Sequence, residues 1–335
     1  MDAADKVLEL LQEARGPVSG EHMAQRLGVT RNTVWKAVKH LREAGYEISA
    51  VTNQGYRLLS ESDVLSAGNI RRQLEPQASI AAIDVRESVT STNTVLKDLA
   101  EHGGREGMVV IAQRQTMGKG RLGRSFYSPQ GGGLYMSVLL RPRFSAEEAL
   151  SITTAAAVAV ARAIDDVTGE RAMIKWVNDV YFHGRKVCGI LTEASVDFEN
   201  SGLHYAVLGM GVNLTEPEGG FPGEVAQVAG ALFAGKAPAG SRPQLAAAIL
   251  NRFFAYYQAL PRRTFMEEYR SRSLLTGMDI TFMEGESQRE GTVLGVDEEA
   301  RLLVRLPDGS KKVFGAGEVN IKRDFLQRLR REKSV

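Results

Sequence analysis

One cysteine, Cys188, is all the thiol this 335-residue chain carries. That excludes an intramolecular disulfide and fits a reducing compartment. Cys188 sits within an apolar run, which suits a core residue better than a nucleophile. Excess charge is also missing. With 42 Lys and Arg against 40 Asp and Glu, the net charge is +2, so any surface for nucleic acid must be local. No apolar run spans a bilayer: the longest small-apolar stretch, Ala155 to Ala163, is alanine-rich and reads as a buried helix. The N-terminus, Met1-Asp2-Ala3-Ala4-Asp5, is acidic and lacks a signal-peptide pattern. Internal repeats and low-complexity segments are absent. These absences point to a cytoplasmic protein with no membrane partner. Hydrophobic content of 43% and charged content of 24% are those of an ordinary globular chain, and the length suits two or three domains.

Against this background one segment stands out. Gly118-Lys119-Gly120-Arg121-Leu122-Gly123-Arg124 follows the apolar run Met108 to Ala112 and places three glycines and three cations in seven residues. Glycine lets backbone N–H groups approach a ligand, and arginine adds a planar fork matched to phosphate or carboxylate. The pattern fits G-x-G-x-x-G but is not a dinucleotide fingerprint, because the glycines there must open a helix. Here the chain continues Ser125-Phe126-Tyr127-Ser128-Pro129-Gln130-Gly131-Gly132-Gly133, which no helix tolerates. It is not a P-loop either, since the lysine comes too early and no Ser or Thr follows it. An anion-holding loop and a solvated basic loop remain as readings of the segment alone.

Residues 1–63 read as three helices and a hairpin. Val7, Leu8, Leu10 and Leu11 line a first helix. Ser19 caps a second that Gly28 ends. Thr30 caps a third with Val34, Val38 and Leu41 at i, i+4 and i+7. From Thr30 to Arg42 that third helix carries four cations and no acid, whereas residues 1–60 hold eight basic against seven acidic residues. Strands around Thr52-Asn53-Gln54-Gly55 complete a winged helix-turn-helix. Arg31, Asn32, Trp35, Lys36 and Lys39 are placed at DNA, with the tip Asn53 to Gly55 on the backbone or minor groove. Trp35 also suits a core position beside Val34, and a protein-interaction module is the alternative for the whole segment.

Residues 66–270 alternate apolar runs with helical stretches, which argues an α/β domain with one main sheet. Strands are expected at 81–87, 108–114, 134–140, 171–176, 186–195 and 204–213, and helices at 93–102, 146–168 and 243–260. Ser145 with Glu148 forms a capping box for the second helix. Val180 to Val187 reads as a tight hairpin turning at His183-Gly184. Three further constellations join the glycine-rich loop. Ser91-Thr92-Asn93 stands at a strand-to-helix junction and also suits a bare N-cap. Lys175-Trp176-Val177-Asn178-Asp179 closes a strand and suits either a magnesium, ribose or phosphate contact or an Asn/Asp turn. Lys186 opens the apolar strand Val187 to Leu191, as a functional charge or a snorkelling edge residue. From 274 to 323, Asp279–Phe282, Gln288–Val296, Arg301–Leu306 and Lys311–Phe314 read as strands of a small β-barrel, with turns at 284–286, 297–299 and 307–309 and a basic tail from Lys322 to Lys333.

Taken in order, Ser91-Thr92-Asn93, Gln115 to Arg124, Lys175 to Asp179, Lys186-Val187-Cys188-Gly189-Ile190-Leu191-Thr192-Glu193 and Gly209-Met210-Gly211-Val212-Asn213 resemble the biotin–protein ligases, and the preceding winged helix resembles their bifunctional, repressor class. The resemblance covers essentially the whole chain. Three departures stand out. Lys119 occupies a usual arginine position and gives up bidentate geometry. Val177 replaces a proline. Phe126 replaces a tryptophan while keeping an aromatic face.

The resemblance implies an α+β and α/β multidomain fold: winged helix (1–63), a central mixed-sheet ligase domain of the class II aminoacyl-tRNA synthetase and biotin ligase type (66–270), and an SH3-like C-terminal barrel (274–323). It implies a reaction in which biotin and ATP, with Mg2+, give biotinyl-5'-AMP, from which biotin passes to a lysine of the biotin carboxyl carrier protein. Catalytic roles fall to Arg121, Lys186 and Asp179. Biotin contacts fall to Ser91, Thr92, Asn93, Gln115, Lys119, Gly120, Arg121 and Lys186. ATP or adenylate contacts fall to Gly118, Lys119, Arg121, Phe126, Trp176, Asn178, Asp179 and Asn213, and the magnesium contact to Asp179. It further implies an adenylate-bound homodimer that represses biotin genes at operator DNA. A non-catalytic biotin-sensing transcription factor and a lipoate or octanoyl ligase of the same fold are the alternatives. Arg121, Asp179 and Lys186 argue against the first. The winged helix and Lys119-Gly120-Arg121 argue against the second.

Overall fold

Ser19 Oγ accepts the backbone N–H of His22 at 3.1 Å, and Thr30 Oγ1 accepts that of Thr33 at 3.1 Å. Both helix starts read from the sequence are therefore built, each satisfying an orphan donor of the first turn. The computed structural model describes all residues except 1–2, 15, 44–45, 52–53, 60–63, 143–148, 198–201, 285–286, 316, 318 and 322–335. The expected wing residues Thr52 and Asn53, the Ser145–Glu148 capping box, the turn at 285–286 and the basic tail lie outside the described residues. Two compact units form, one from residues 1–73 with 238–244, the other from 74–237 with 245–335.

In the first unit, α1 (Ala3–Glu13), α2 (Gly20–Leu27) and α3 (Arg31–Glu43) bury Val7, Leu8, Leu11, Met23, Val34, Val38 and Leu41 in one core. Gly28 takes φ 66° to end α2, the left-handed cap that favours glycine. Strands β1 (Ile48–Val51) and β2 (Gly55–Leu58) pair antiparallel. Gly55 is obligatory there: its φ is 109°, and a Cβ would lie 2.1 Å from the Val18 carbonyl oxygen. A short α4 (Ala67–Arg71), capped by Ser66, follows.

The second unit is built on β3 (Ala82–Val89), α5 (Thr92–Glu101), β4 (Met108–Gln115), β5 (Gly133–Leu140), α6 (Ala149–Thr168), β6 (Met173–Lys175), β7 (Asp179–Phe182), β8 (Arg185–Asp197) and β9 (Gly202–Asn213). The seven strands form one sheet in the order β3-β4-β5-β9-β8-β7-β6. Only β3 and β4 are parallel, joined by α5; the remaining pairs are antiparallel. The sheet is mixed, as expected. Leu96 and Ala100 of α5 pack on Val110, Leu139, Tyr205 and Val207. Burying a leucine such as Leu96 contributes roughly 1.5–3 kcal/mol. The alanine run is a buried helix: Ala155 to Ala161 of α6 are fully enclosed.

Beyond the sheet come α7 (Val225–Val228), α8 (Ser241–Gln258) and α9 (Met266–Ser271). The chain then forms β10 (Asp279–Glu284), β11 (Ser287–Val296), β12 (Leu302–Arg305), β13 (Lys311–Phe314) and β14 (Val319–Ile321). These five strands make an antiparallel sheet in the order β13-β12-β11-β10-β14. Its edges, β13 and β14, are not paired with each other among the described residues, so the strand-rich C-terminus stands here as an open sheet rather than a closed barrel. No described helix is long and apolar enough to cross a membrane.

Candidate functional site

A cleft in the second unit opens over the middle of the seven-stranded sheet. It is lined by Ser91, Thr92, Asn93, Gln115, Lys119, Gly120, Arg121, Phe126, Trp176, Asn178, Asp179 and Lys186, which the sequence singled out. Gly118 and Asn213 do not line it. Asn213 is buried and donates from Nδ2 to the Gly230 carbonyl at 3.1 Å. The lining also includes residues that carried no role in the sequence, among them Gly189, Gly209, Gly211 and Gly317. Three of these are the bare floor of the cleft. Gly189 pairs with Gly211, and Gly209 with Leu191, on β8 and β9. A Cβ on Gly209 would lie 2.2 Å from Asn93 Oδ1, and one on Gly211 would lie 2.5 Å from the Phe126 ring. Alternate glycines on an apolar strand were the available signal, since glycine in a strand interior marks close approach.

A β-bulge creates the charged end of the site. Asp179 pairs with Gly189 and Val180 with Cys188, but Tyr181 pairs with Lys186, leaving Val187 as the extra residue. One extra residue reverses which face the following side chains occupy. Lys186 thereby shares the face of Asp179, and its Nζ lies 2.7 Å from Asp179 Oδ1. The side chains are 30% and 16% exposed, so the ion pair is partly withdrawn from water. Cys188, on the other face, is fully buried and burial pushes its thiol pKa up, which confirms a core residue.

The glycine-rich loop is a small hairpin. Lys119 bridges Ser125, Gly120 N–H donates to the Arg124 carbonyl at 2.7 Å, and Phe126 N–H donates to the Gly118 carbonyl at 2.9 Å. Between them lies one 3-10 turn, in which Leu122 adopts φ 55° and is 76% exposed. The loop holds Arg121 inward. Its guanidinium donates to Asn178 Oδ1 at 2.8 Å and to the Gly317 carbonyl at 3.0 Å. Asn178 is itself fixed, donating from Nδ2 to the Ile190 carbonyl at 2.9 Å. The peptide bond between Trp176 and Val177 is cis. Trp176 donates from Nε1 to the Ala300 carbonyl at 2.8 Å, and Tyr269 from its hydroxyl to the Val177 carbonyl at 3.2 Å.

The opposite end is polar and closed. Ser91, Thr92 and Asn93 open α5 and are all buried. Ser91 occupies the N-cap position without a side-chain cap bond. Gln115 Oε1 accepts from Thr92 N–H at 2.9 Å and from the Thr92 hydroxyl at 3.1 Å, while Gln115 Nε2 donates to Ser128 Oγ at 2.9 Å. Ser137, fully buried in β5, has its Oγ 2.6 Å from both Thr92 Oγ1 and Asn93 Oδ1. Asn93 Nδ2 donates to Glu193 Oε2 at 2.8 Å, and Lys97 Nζ to Glu193 Oε1 at 2.5 Å. Burial would raise the Glu193 pKa, but the bonds from Lys97 and Asn93, with the charge of Lys97, outweigh it and hold the carboxyl below its usual value. Ser137, Lys97 and the role of Glu193 were not legible in the sequence, where Ser137 is one polar residue in an apolar strand.

No group of three metal-ligating side chains exists among the described residues. Asp179 is a single carboxylate already matched by an ammonium, so at this end of the cleft a magnesium ion would depend chiefly on the phosphates of a nucleotide for its ligands. In the first unit, Arg31, Asn32, Trp35, Lys36 and Lys39 are all exposed on α3. Trp35 is 52% exposed, with Lys39 Nζ 6.0 Å from its ring centre. It is therefore a surface residue and not part of the core around Val34.

Residues 85–213 match the biotin/lipoate A/B protein ligase family, and residues 4–57 match an HTH domain. The bifunctional ligase/repressor BirA of Bacillus subtilis is 32% identical over 92% of this chain and 96% of its own length, and that of Bacillus spizizenii is the same in each measure. Among solved structures, the biotin protein ligase from Aquifex aeolicus in complex with biotin and ATP is similar at a TM-score of 0.61 and 29% identity. It matches 73% of this chain and all of its own.

Proposed function

The chain belongs to the family of bifunctional biotin–protein ligases and repressors, and from that premise we propose how the cleft divides the work. The chain is an ATP-dependent biotin–protein ligase with a helix-turn-helix DNA-binding segment. The observation that carries the site reading is the convergence of Lys186, Asp179, Arg121 and Asn178 at one end of the cleft, opposite the closed polar end at Ser91, Thr92, Asn93 and Gln115.

Biotin's carboxylate is a poor acyl donor until one oxygen joins a good leaving group. That oxygen attacks the α-phosphorus of ATP, and pyrophosphate departs with the broken P–O bond. Two anions must meet, and positive charge is what the charged end supplies. Lys186 contacts the carboxylate and α-phosphate, and Asp179 holds its ammonium in place. Arg121 turns its fork from Asn178 and the Gly317 carbonyl to the reacting phosphate, while Lys119 and Gly120 close over biotin and adenylate. The polar end receives the biotin head. Phe126 offers its ring to adenine, and Trp176, Asn178 and Asp179 border the nucleotide, where Asp179 would be the carboxylate nearest a magnesium ion whose charge would offset that of the phosphates. The amine of a lysine on the biotin carboxyl carrier protein then attacks the acyl carbon, AMP leaves, and the amine nitrogen gives up a proton. No protein nucleophile is needed.

The C-terminal strands act as an SH3-like cap of this site. The exposed cations of α3 meet the phosphates of operator DNA, and adenylate-bound homodimers present two such helices to a two-fold site in the cytoplasm. Incubating the chain with biotin, ATP and carrier protein tests the ligase reading. Biotin-dependent pyrophosphate release and labelled carrier are expected, and lipoate-dependent release instead would overturn it. A gel shift on the biotin-gene promoter, with and without biotin and ATP, tests the repressor.

A further inference from the structure

The turn between β11 and β12 touches a residue of the cleft wall. Trp176 lines the cleft, and its indole N–H donates to the Ala300 carbonyl at 2.8 Å in a buried bond. We propose that Asp297 is a positioning residue for the nucleotide. By folding this turn it aims the Ala300 carbonyl at Trp176, and so sets the wall of the cleft that leads to Asn178 and Asp179. The inference rests on the reading in which Trp176, Asn178 and Asp179 border ATP.

Asp297 organises the turn from within. Its Oδ1 accepts the backbone N–H of Glu299 at 3.0 Å and that of Arg301 at 2.8 Å, and its Oδ2 accepts from Arg301 Nε at 2.7 Å. Its own N–H donates to the Arg301 carbonyl at 3.0 Å, and its carbonyl accepts the Ala300 N–H at 3.2 Å. Aspartate side chains favour turns by bonding the backbone a few residues on. The consequence falls on Ala300, which is 1% exposed and adopts φ 62°. That left-handed conformation is unfavourable for a residue with a Cβ and persists only where the surroundings impose it. The carbonyl placed by it is the one that meets the indole. Arg263 and Arg270 hold the turn in place. Arg263 Nη1 donates to the Glu298 carbonyl at 2.8 Å, and Arg270 Nη2 lies 3.7 Å from Glu298 Oε1.

The outcome reaches the cleft through the chain. An indole has a single donor, lying in the ring plane, so one bond there fixes how the ring is turned. Tyr269 holds the next residue from α9, donating to the Val177 carbonyl at 3.2 Å. The two residues after that are the charged end of the site: Asn178 accepts from Arg121 at 2.8 Å, and Asp179 pairs with Lys186 at 2.7 Å. A shift of Trp176 is therefore passed to the groups that face the nucleotide, and small misplacements there are costly to a reaction that depends on alignment. The polar end at Ser91, Thr92, Asn93 and Gln115 is held by its own bonds and is spared.

The test uses the full chain. Calorimetry reads the binding of biotin and of α,β-methylene-ATP, and pyrophosphate release reads KM for each substrate. Asp297→Ala removes the turn's bonds, and Trp176→Phe removes the indole donor while leaving the turn intact. Each should weaken the nucleotide about three- to tenfold, with biotin within about twofold. Asp297→Asn keeps an acceptor for the backbone N–H groups and should restore nucleotide binding to near wild type. The double variant Asp297→Ala/Trp176→Phe should be no weaker than either single one, because both act through one bond. Additive losses overturn the proposal, as does equal weakening of biotin and nucleotide in Asp297→Ala. If Asp297→Ala fails to fold, Trp176→Phe with and without Asp297→Asn decides the same question, and unchanged nucleotide binding in Trp176→Phe overturns the proposal. A loss confined to biotin in Trp176→Phe overturns the placing of the nucleotide, while a wild-type chain that binds both probes without releasing pyrophosphate overturns the ligase reading alone.

Discussion

Lys186 Nζ and Asp179 Oδ1 lie 2.7 Å apart because β8 carries one extra residue opposite β7. The bulge at Val187 moves Lys186 to the cleft face, while Val187 and Cys188 stay fully buried. An ammonium held by a carboxylate beside the reaction site is pre-placed, so little reorganisation is needed when phosphate charge develops.

Lys186→Ala should therefore cut biotinyl-adenylate formation by about two to three orders of magnitude, measured as biotin-dependent pyrophosphate release in a single turnover. Asp179→Asn should fall less far, since the cation remains but loses its partner. Adenylate formation at the wild-type rate in Lys186→Ala would remove Lys186 from the chemistry.

Gly209 is a floor residue whose missing side chain makes room for Asn93. Gly209→Ala would put a Cβ 2.2 Å from Asn93 Oδ1, so Asn93 or the strand must shift. Overpacking of this kind costs about 1–3 kcal/mol of stability. KM for biotin should rise more than that for ATP, because the displacement falls at the polar end. Equal effects on the two substrates would count against that assignment.

Cys188 is fully buried, and burial raises its thiol pKa. A thiol reagent should leave the native chain unlabelled at neutral pH and modify Cys188 only on unfolding. Mass spectrometry of the labelled chain across a urea series gives the answer, and labelling should follow the unfolding transition.

Glu193 has a folded-state pKa below its ordinary value of 4.5. A depressed carboxyl contributes stability that is present above the unfolded pKa and lost as pH falls through the folded one. The difference in urea midpoint between the wild type and Glu193→Gln should be flat above about pH 5.5 and shrink below pH 4.5. A gap that persists at pH 3 would mean the carboxylate charge contributes nothing.

Lys36 is exposed on the helix assigned to DNA. Lys36→Ala should leave thermal stability within about 0.5 kcal/mol while reducing the salt dependence of promoter binding by about one unit of slope. Filter binding across a salt series would show it. A slope identical to wild type would place Lys36 away from the phosphates.

Much of this was readable from the chain. Caps at Ser19 and Thr30, the left-handed stop at Gly28, and the hairpin turn at His183-Gly184 all depend on neighbouring residues only, and each stands where the sequence put it. Other features were not readable. Nothing in Val180 to Val187 announces a bulge, because a bulge is a mismatch between two strands and each strand alone looks regular. Strand β14 and α4 were missed for their brevity. The C-terminal strands were legible one by one, but closure into a barrel is a property of their pairing, and the described strands pair as an open sheet.

The sequence by itself determined which chemical groups are available: a loop of cations and glycines, a Lys-to-Asp motif, a lysine heading an apolar strand, and a basic helix. Spacing along the chain sufficed, because helix periodicity, capping and turn chemistry act over a few residues. Only the tertiary structure decided which groups meet. The sheet order brings β5, β8 and β9 beside the start of α5, so Ser137, Glu193 and Gly209 converge on Asn93 from positions 44, 100 and 116 residues along the chain. Hydrogen bonds and close contacts are set by distance in space, and no local pattern in a sequence encodes a meeting of side chains from three strands.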